Sequence, residues 1–317
     1  MSRLVLVLGI VAGALAASVA FAAEEAGGLP PELEPLAALL VDEGRLVDAM
    51  RALDLEQSRL IDEDLARVQT LRASGNTEEA EKLYAEAERR VALLEQGYAL
   101  VLTNYPGNAR ALTYRGELLY DRRGDVTGAV RSWKMAERLD PEWSAPVNDL
   151  AIHYCHAGDY SQGLAYFERL LKLDPHHPDY LYNIAQVYLI HSPQVADRYK
   201  WKRSRVYKKA MAYSKQAADL APTDYELLQD YAVNFFCAEE FGIRPKWAKA
   251  AEAWQRARGQ ARNDDERFYT WLNEARAWLR KPDPARAEQC LQEALAIRPS
   301  SEAATKLLDE ARSQMDE

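Results

Sequence analysis

The chain has 317 residues, of which 28% are charged, 48% hydrophobic and 9% aromatic, a globular composition long enough for two average domains or one elongated array. With 15 Gly, 14 Pro and three Cys it is not collagen-like, linker-like or a disulfide scaffold. A net charge of −9 argues against a general nucleic-acid binder, whose affinity for phosphates needs surplus Lys and Arg.

Met1-Ser2-Arg3 carries one positive charge and precedes an uncharged, almost wholly apolar run from Leu4 to Val19. Ala20-Phe21-Ala22 then has the small-x-small form of a signal-peptidase site, with Glu24 and Glu25 just after it. Residues 1–22 therefore read as a secretory signal peptide cleaved after Ala22, which predicts a periplasmic or secreted protein. The apolar run is shorter than the roughly 20 residues a spanning helix needs, and no later segment approaches that length. No membrane span is expected after cleavage, and no Cys near the site offers a lipid anchor.

Residues 23–59 are predicted to form an acidic helical arm, with an amphipathic helix over 32–53 bounded by Gly28 and Pro30-Pro31. Residues 23–100 hold 18 acidic and 8 basic residues, whereas 101–317 hold 31 of each, so the whole charge surplus is N-terminal. It is either a solvated face or a docking surface for a basic partner. Residues 60–106 read as a helix pair: Leu60 to Leu71, a turn at Ser74-Gly75-Asn76, and one long helix from Thr77 to Asn104.

From there a period sets the organisation. Leu139-Asp140-Pro141 returns as Leu173-Asp174-Pro175, 34 residues later. Between them Val147, Leu150, Ala151, Tyr154, Gly163, Phe167 and Pro175 fall at fixed spacings, with Gly158-Asp159-Tyr160 as a turn. Small residues at Ala151 and Gly163 let two helices approach, large ones fill the space around them, and Pro175 stops the second helix. Trp271, Ala275, Trp278, Ala287, Leu291 and Pro299 repeat the pattern, with Glu274 where Leu is usual. Leu112, Gly116, Gly124, Ala129, Trp133, Ala136 and Pro141 form another unit. Leu181, Ile184, Ala185 and Tyr188 open a unit of 47 residues that closes with Ala210, Ala217 and Pro222. The next runs from Leu228, Tyr231, Ala232 and Phe235 to Ala250, Trp254 and Ala257, with about six extra residues around Glu239 to Lys246 and an N-cap in Asn263-Asp264-Asp265.

This pattern resembles the tetratricopeptide repeat, a helix–turn–helix unit of about 34 residues. The resemblance covers 107–299 closely, in units of about 107–141, 142–175, 176–222, 223–263 and 264–299, and 60–106 loosely. It implies an all-α solenoid of stacked helix pairs, with residues 300–317 as a capping helix. It also implies an extended ligand, usually a peptide or protein, held by the concave face of the first helices. Projected from the register, that face includes Arg110, Asn148, His156, Tyr182, Gln186, Gln229 and Phe236, together with Thr113, Glu117, Ile152 and Val233.

A second candidate surface is the basic insertion, where Arg198, Lys200, Lys202, Arg203, Arg205, Lys208 and Lys209 interleave with Tyr199, Trp201 and Tyr207. It could take an envelope anion, or Trp201 and Tyr207 could pack an extended helix while the charges stay solvated. All five His lie between 153 and 191; His153 and His156 have metal-ligand spacing, yet no His-Glu-x-x-His motif occurs and no metal or cofactor is expected. Cys155, Cys237 and Cys290 read as buried small hydrophobes. No phosphate loop, nucleophile elbow or Cys-x-x-Cys pair is present, so no enzyme is expected. These readings predict an exported, non-catalytic adaptor that binds a protein partner through its groove and basic segment. The competing expectation is a periplasmic small-molecule or anion carrier associated with a solute transporter.

Overall fold

A computed structural model of the chain describes residues 29–316. The signal-peptide reading of residues 1–22 lies outside the described residues. The described residues form α-helices joined by short turns, without a strand. In chain order the helices are α1 Glu34–Ala37, α2 Glu43–Ala73, α3 Thr77–Asn104, α4 Ala109–Arg123, α5 Val126–Leu139, α6 Ser144–His156, α7 Tyr160–Leu173 and α8 Pro178–Ile190. They continue as α9 Ser192–Tyr199, α10 Arg203–Leu220, α11 Tyr225–Val233, α12 Trp247–Arg258, α13 Asp264–Arg280, α14 Pro284–Ile297 and α15 Glu302–Asp316. Short 3-10 turns occupy Pro31–Leu33 and Ala238–Phe241.

Local chemistry starts six of these helices. Asp42, Asn108, Asp125, Asp159, Asp224 and Asn263 each accept a backbone N–H from the first turn that follows, at 2.7–3.2 Å. Each such cap is worth about 1 kcal/mol. Gly124 (φ 62°) and Gly158 (φ 83°) take the left-handed conformation that closes α4 and α6.

The chain divides into two compact units at Leu150/Ala151, within α6. In the first, α2 packs along α3 and α4 packs against α5. Leu33, Leu36, Leu46, Met50, Ile61, Val91, Leu94 and Tyr98 form the core. Gly97 of α3 lets Met50 lie against its backbone: a Cβ there would stand 2.5 Å from the Met50 sulfur. Two polar pairs cross the same seam. Tyr98 donates its hydroxyl to the buried Asp54 carboxylate, and Arg90 Nη1 donates to Gln57 Oε1 at 2.8 Å.

The α2 helix corrects the predicted arm. One continuous helix runs over Glu43–Ala73, so the expected division at 59/60 falls in its middle, and the expected helix over 32–53 breaks between Ala37 and Glu43. Residues 45–73 contain no Gly or Pro to stop it. Part of the acidic surplus also has partners inside this unit. Arg110 pairs with Asp48 at 3.4 Å, Arg122 with Asp62 at 2.7 Å, and Arg123 with Glu88 at 2.6 Å and Glu95 at 2.7 Å.

In the second unit the small residues of the repeat stand where helices meet. A Cβ on Gly163 would lie 2.9 Å from the Cys155 amide nitrogen and 3.0 Å from the Ala151 carbonyl oxygen. Helix α8 packs against α10, α12 against α13, α13 against α14, and α15 against α14. The larger core here gathers Trp254, Phe268, Leu272, Trp278, Leu291 and Leu308 around Ala250, Ala275, Ala287 and Ala304. Trp254 is wholly buried; burying one such large side chain contributes on the order of 2–3 kcal/mol.

Both predicted insertions of this unit are ordered. The first is a separate short helix, α9, rather than an extension of α10; Lys200 ends it in the left-handed conformation at φ 52°. The second is the Ala238–Phe241 turn closed by Gly242 at φ 68°. The expected N-cap at Asn263 is present, accepting from the Glu266 amide at 2.9 Å.

Candidate partner-binding surfaces

In the first unit the candidate groove residues sit beside an internal ion network. Arg110 is exposed at the start of α4, 3.4 Å from Asp48 and with its guanidinium 5.6 Å from the centre of the Trp143 ring. Asn148 is half-buried on α6 and donates to Asp149 at 3.4 Å. Arg51 ties α2 to α4: it lies 3.0 Å from both Asp54 and Glu117 and 4.0 Å over the Tyr114 ring. Burial pushes the Glu117 and Asp149 carboxyls above the usual carboxylate range, Asp149 strongly so. Part of this helix face is thus spent on the unit's own charges.

The second unit presents the other groove candidates. His156 is exposed at the end of α6. His191 is lowered below the ordinary His value by burial and then by the charge of His156, which places these two rings near each other. His191 also packs on Tyr160 with ring centres 4.8 Å apart. No group of three or more His, Cys, Asp or Glu among the described residues could hold a metal ion.

Tyr182 and Gln186 are half-buried on α8, and Gln229 is half-buried on α11. Gln186 donates its amide to Asp230, which also accepts from Ser214 at 3.1 Å and Asn234 at 2.9 Å. Desolvation raises the Asp230 carboxyl to about 6 against the pull of those three donors. Nearby Asp230 and Glu226 also push up the Tyr182 hydroxyl, after burial itself. Gln229 lines a shallow depression of about 420 Å³ with Tyr225, Phe268, Tyr269 and Arg298. Phe236 lies past the end of α11, its ring 5.5 Å from Trp247 and 6.5 Å from Trp254. Sequence register did not single out Asp230, the centre of this network, because it lies one position away from the projected face.

The basic insertion is more neutral than its composition implies. Arg198 and Tyr199 both donate to Glu168, at 3.2 Å and 2.8 Å, and Lys200 pairs with Asp197 at 2.7 Å. Trp201 stacks on Tyr199 at 4.6 Å, and Arg205 lies 4.5 Å over Trp201. Lys202 is exposed as the residue before α10. Arg203 reaches Ser192 at 3.5 Å and covers Phe241 at 5.0 Å. A depression of about 640 Å³ beside this segment is lined by Asp159, Tyr160, Asp197, Arg198 and Lys200, a mixture of both charges.

Helix pairs closed by small-residue contacts, repeated along the chain, define the class of protein. The tetratricopeptide repeat family model matches residues 65–142 and 148–197, and these segments are similar to that repeat. Repeats of this family build protein-interaction scaffolds. The chain is 27% identical over 140 residues to a photosystem I assembly protein, Ycf3, of Rippkaea orientalis, covering 42% of this chain and 81% of that protein. It is 29% identical over 122 residues to Ycf3 of Cyanophora paradoxa, covering 37% and 70%. Among solved structures, the C-terminal part of a repeat-containing protein from Cytophaga hutchinsonii aligns over 82% of this chain and 99% of its own, with a TM-score of 0.51 and 16% identity, a likeness of fold. No helix among the described residues is long and apolar enough to cross a membrane.

Proposed function

We propose that the protein is an exported, non-catalytic scaffold that holds a protein partner on the first helices of its repeats. The observation that carries this reading is the set of half-buried polar and aromatic side chains on α8 and α11, Tyr182, Gln186 and Gln229, with Gln186 held by the Asp230 network. Rigid aromatic and amide groups held in place by buried neighbours bind with little loss of side-chain freedom. The assembly role in the names of the two Ycf3 relatives agrees with a scaffold. Export rests on the apolar run and small-residue site of residues 1–22.

The test is affinity capture from the native envelope fraction. Wild type is compared with Tyr182→Ala/Gln229→Ala and with a Lys/Arg-to-Glu version of residues 198–205. A specific protein retained by wild type and lost from the Tyr182/Gln229 variant supports the reading. No specific protein with any version refutes it. Mass spectrometry of the native N-terminus tests export separately: a chain starting at residue 23 supports it, and an unprocessed cytosolic chain refutes it.

A further inference from the structure

The extra residues between α11 and α12 do more than lengthen a unit. They fold back on α10: Ala238 and Phe241 join Tyr207 in one buried cluster, with Met211 and Ile243 packed against it. Two backbone bonds close the segment, Gly242 N to Glu239 O at 2.9 Å and Ile243 N to Ala238 O at 3.1 Å. The Tyr207 hydroxyl donates to the Asn234 carbonyl at 3.1 Å and holds the start of the loop. The result is an ordered pocket of about 260 Å³ between α10, α11 and the start of α12.

Its floor is apolar, made by Tyr207, Met211, Tyr231, Phe235 and Ile243. Every charged residue lining it is a cation: Lys208, Lys215, Arg244, Lys246 and Lys249. Lys215 is paired with Asp219. No ion pair among the described residues engages the other four, and all four are exposed. This sets them apart from Arg198 and Lys200 of the basic insertion, which are both paired.

We propose that this pocket is a docking site for an acidic segment of a protein partner, with one bulky apolar side chain seated on the floor and flanking carboxylates on the lysine and arginine rim. Two magnitudes favour that occupant. The volume lies below the roughly 300–1,000 Å³ of sites that enclose whole small ligands, and suits a single anchoring side chain. Four unpaired cations exceed what one small carboxylate engages, but match a run of Asp and Glu, whose attraction also speeds encounter. The proposal rests on the reading of the protein as a partner-binding scaffold and names a site on it remote in sequence from Tyr182.

The test uses the full chain and a fluorescein-labelled peptide with Asp and Glu on both sides of one central Phe. Two companion peptides replace the Phe by Ala, or the acids by Asn and Gln. The first peptide binds by fluorescence anisotropy, and both companions bind at least about tenfold more weakly. Lys246→Glu/Lys249→Glu weakens the first peptide by about tenfold or more, and Ala212→Trp, which fills the pocket from an exposed position of α10, does the same. Lys172→Glu/Lys306→Glu, an equal charge change outside this pocket, leaves binding unaltered, and circular dichroism verifies that all variants keep their helicity.

Equal binding of the Ala peptide, or unchanged affinity in the Lys246/Lys249 variant, overturns the proposal. So does charge-dependent binding of phosphatidylglycerol vesicles without peptide binding, which makes the pocket a membrane contact. A native partner that still binds the Lys246/Lys249 and Ala212→Trp variants, but not the Tyr182/Gln229 variant, overturns this site while leaving the scaffold reading in place.

Discussion

Replacing Gly163 by Ala tests the helix packing of the repeat at its tightest point. In an exposed helix the change would stabilise by up to about 1 kcal/mol, since Gly is the poorer helix former. Here the added methyl meets the Cys155 amide nitrogen at 2.9 Å and the Ala151 carbonyl oxygen at 3.0 Å, with the Cys155 sulfur closer still. Two of the three are backbone atoms, which cannot rotate away, so α6 and α7 must separate. Overpacking of this kind costs about 1–3 kcal/mol, and the backbone contacts place Gly163→Ala at the upper end, a net loss of about 1–2 kcal/mol after the propensity gain. For a cooperative unit of this size that lowers the melting temperature by roughly 2–8 °C. Gly44→Ala is the matched control: Gly44 is exposed in the first turn of α2 and its nearest neighbour, Asp42 Oδ1, lies 3.8 Å from the added Cβ. That variant melts at or slightly above wild type. Thermal and urea unfolding followed at 222 nm read both. A Gly163→Ala protein as stable as wild type refutes the close approach of α6 and α7.

Three further outcomes are expected. Asp230 has its carboxyl raised from 3.8 to about 6 by desolvation, so the folded state holds the proton more tightly than the unfolded chain. Its contribution to stability is therefore full below about pH 4 and is lost as pH rises through about 6, and Asp230→Asn removes that component from the difference between urea midpoints at pH 4.5 and 7.5. Glu274 is buried and holds Arg258, while accepting from Gln255 at 2.6 Å and Trp278 at 3.1 Å. Glu274→Leu alone strands a largely buried guanidinium and costs about 3–5 kcal/mol, whereas Glu274→Leu/Arg258→Met recovers most of it; equal losses in the two variants contradict this account. Burial pushes the Cys155 and Cys237 thiols up to about 11 and Cys290 up to about 12. All three react slowly with a disulfide reagent at pH 8 until denaturant is added, Cys237 first because it is only half-buried; rapid native titration of Cys155 or Cys290 speaks against their placement.

The repeat was legible because its constraints are local and recur. Ala151 with Gly163, and Gly116 near Trp133, announce close helix contacts at fixed spacing, and Asp or Asn before a helical run announces its cap. The length of α2 was not legible for an equally physical reason. Its buried face carries Asp54 and Gln57 where apolar residues would continue the stripe, so the periodicity lapses close to the expected boundary. The partners that make those residues acceptable, Tyr98 and Arg90, lie 44 and 33 positions away. Charge suffered the same limit. A run of cations at 198–209 is conspicuous in sequence, yet Glu168 and Asp197 neutralise part of it. The cations around the 260 Å³ pocket are scattered between Lys208 and Lys249 and form a cluster only once the loop folds back.

The polar pairs across α2 and α3 have a consequence for alignment. Helices of 31 and 28 residues joined by the short turn Ser74–Asn76 could slide along a repetitive apolar seam by one turn, 5.4 Å, with modest loss of contact. Such a slip would carry Asp54 from the Tyr98 hydroxyl and Gln57 from Arg90, leaving buried groups desolvated and unbonded at about 1–3 kcal/mol for a neutral group and more for a charge. The pairs add little to the correct alignment and weigh heavily against every shifted one. They act as index marks along the hairpin, so that a seam which would otherwise accept several settings accepts one.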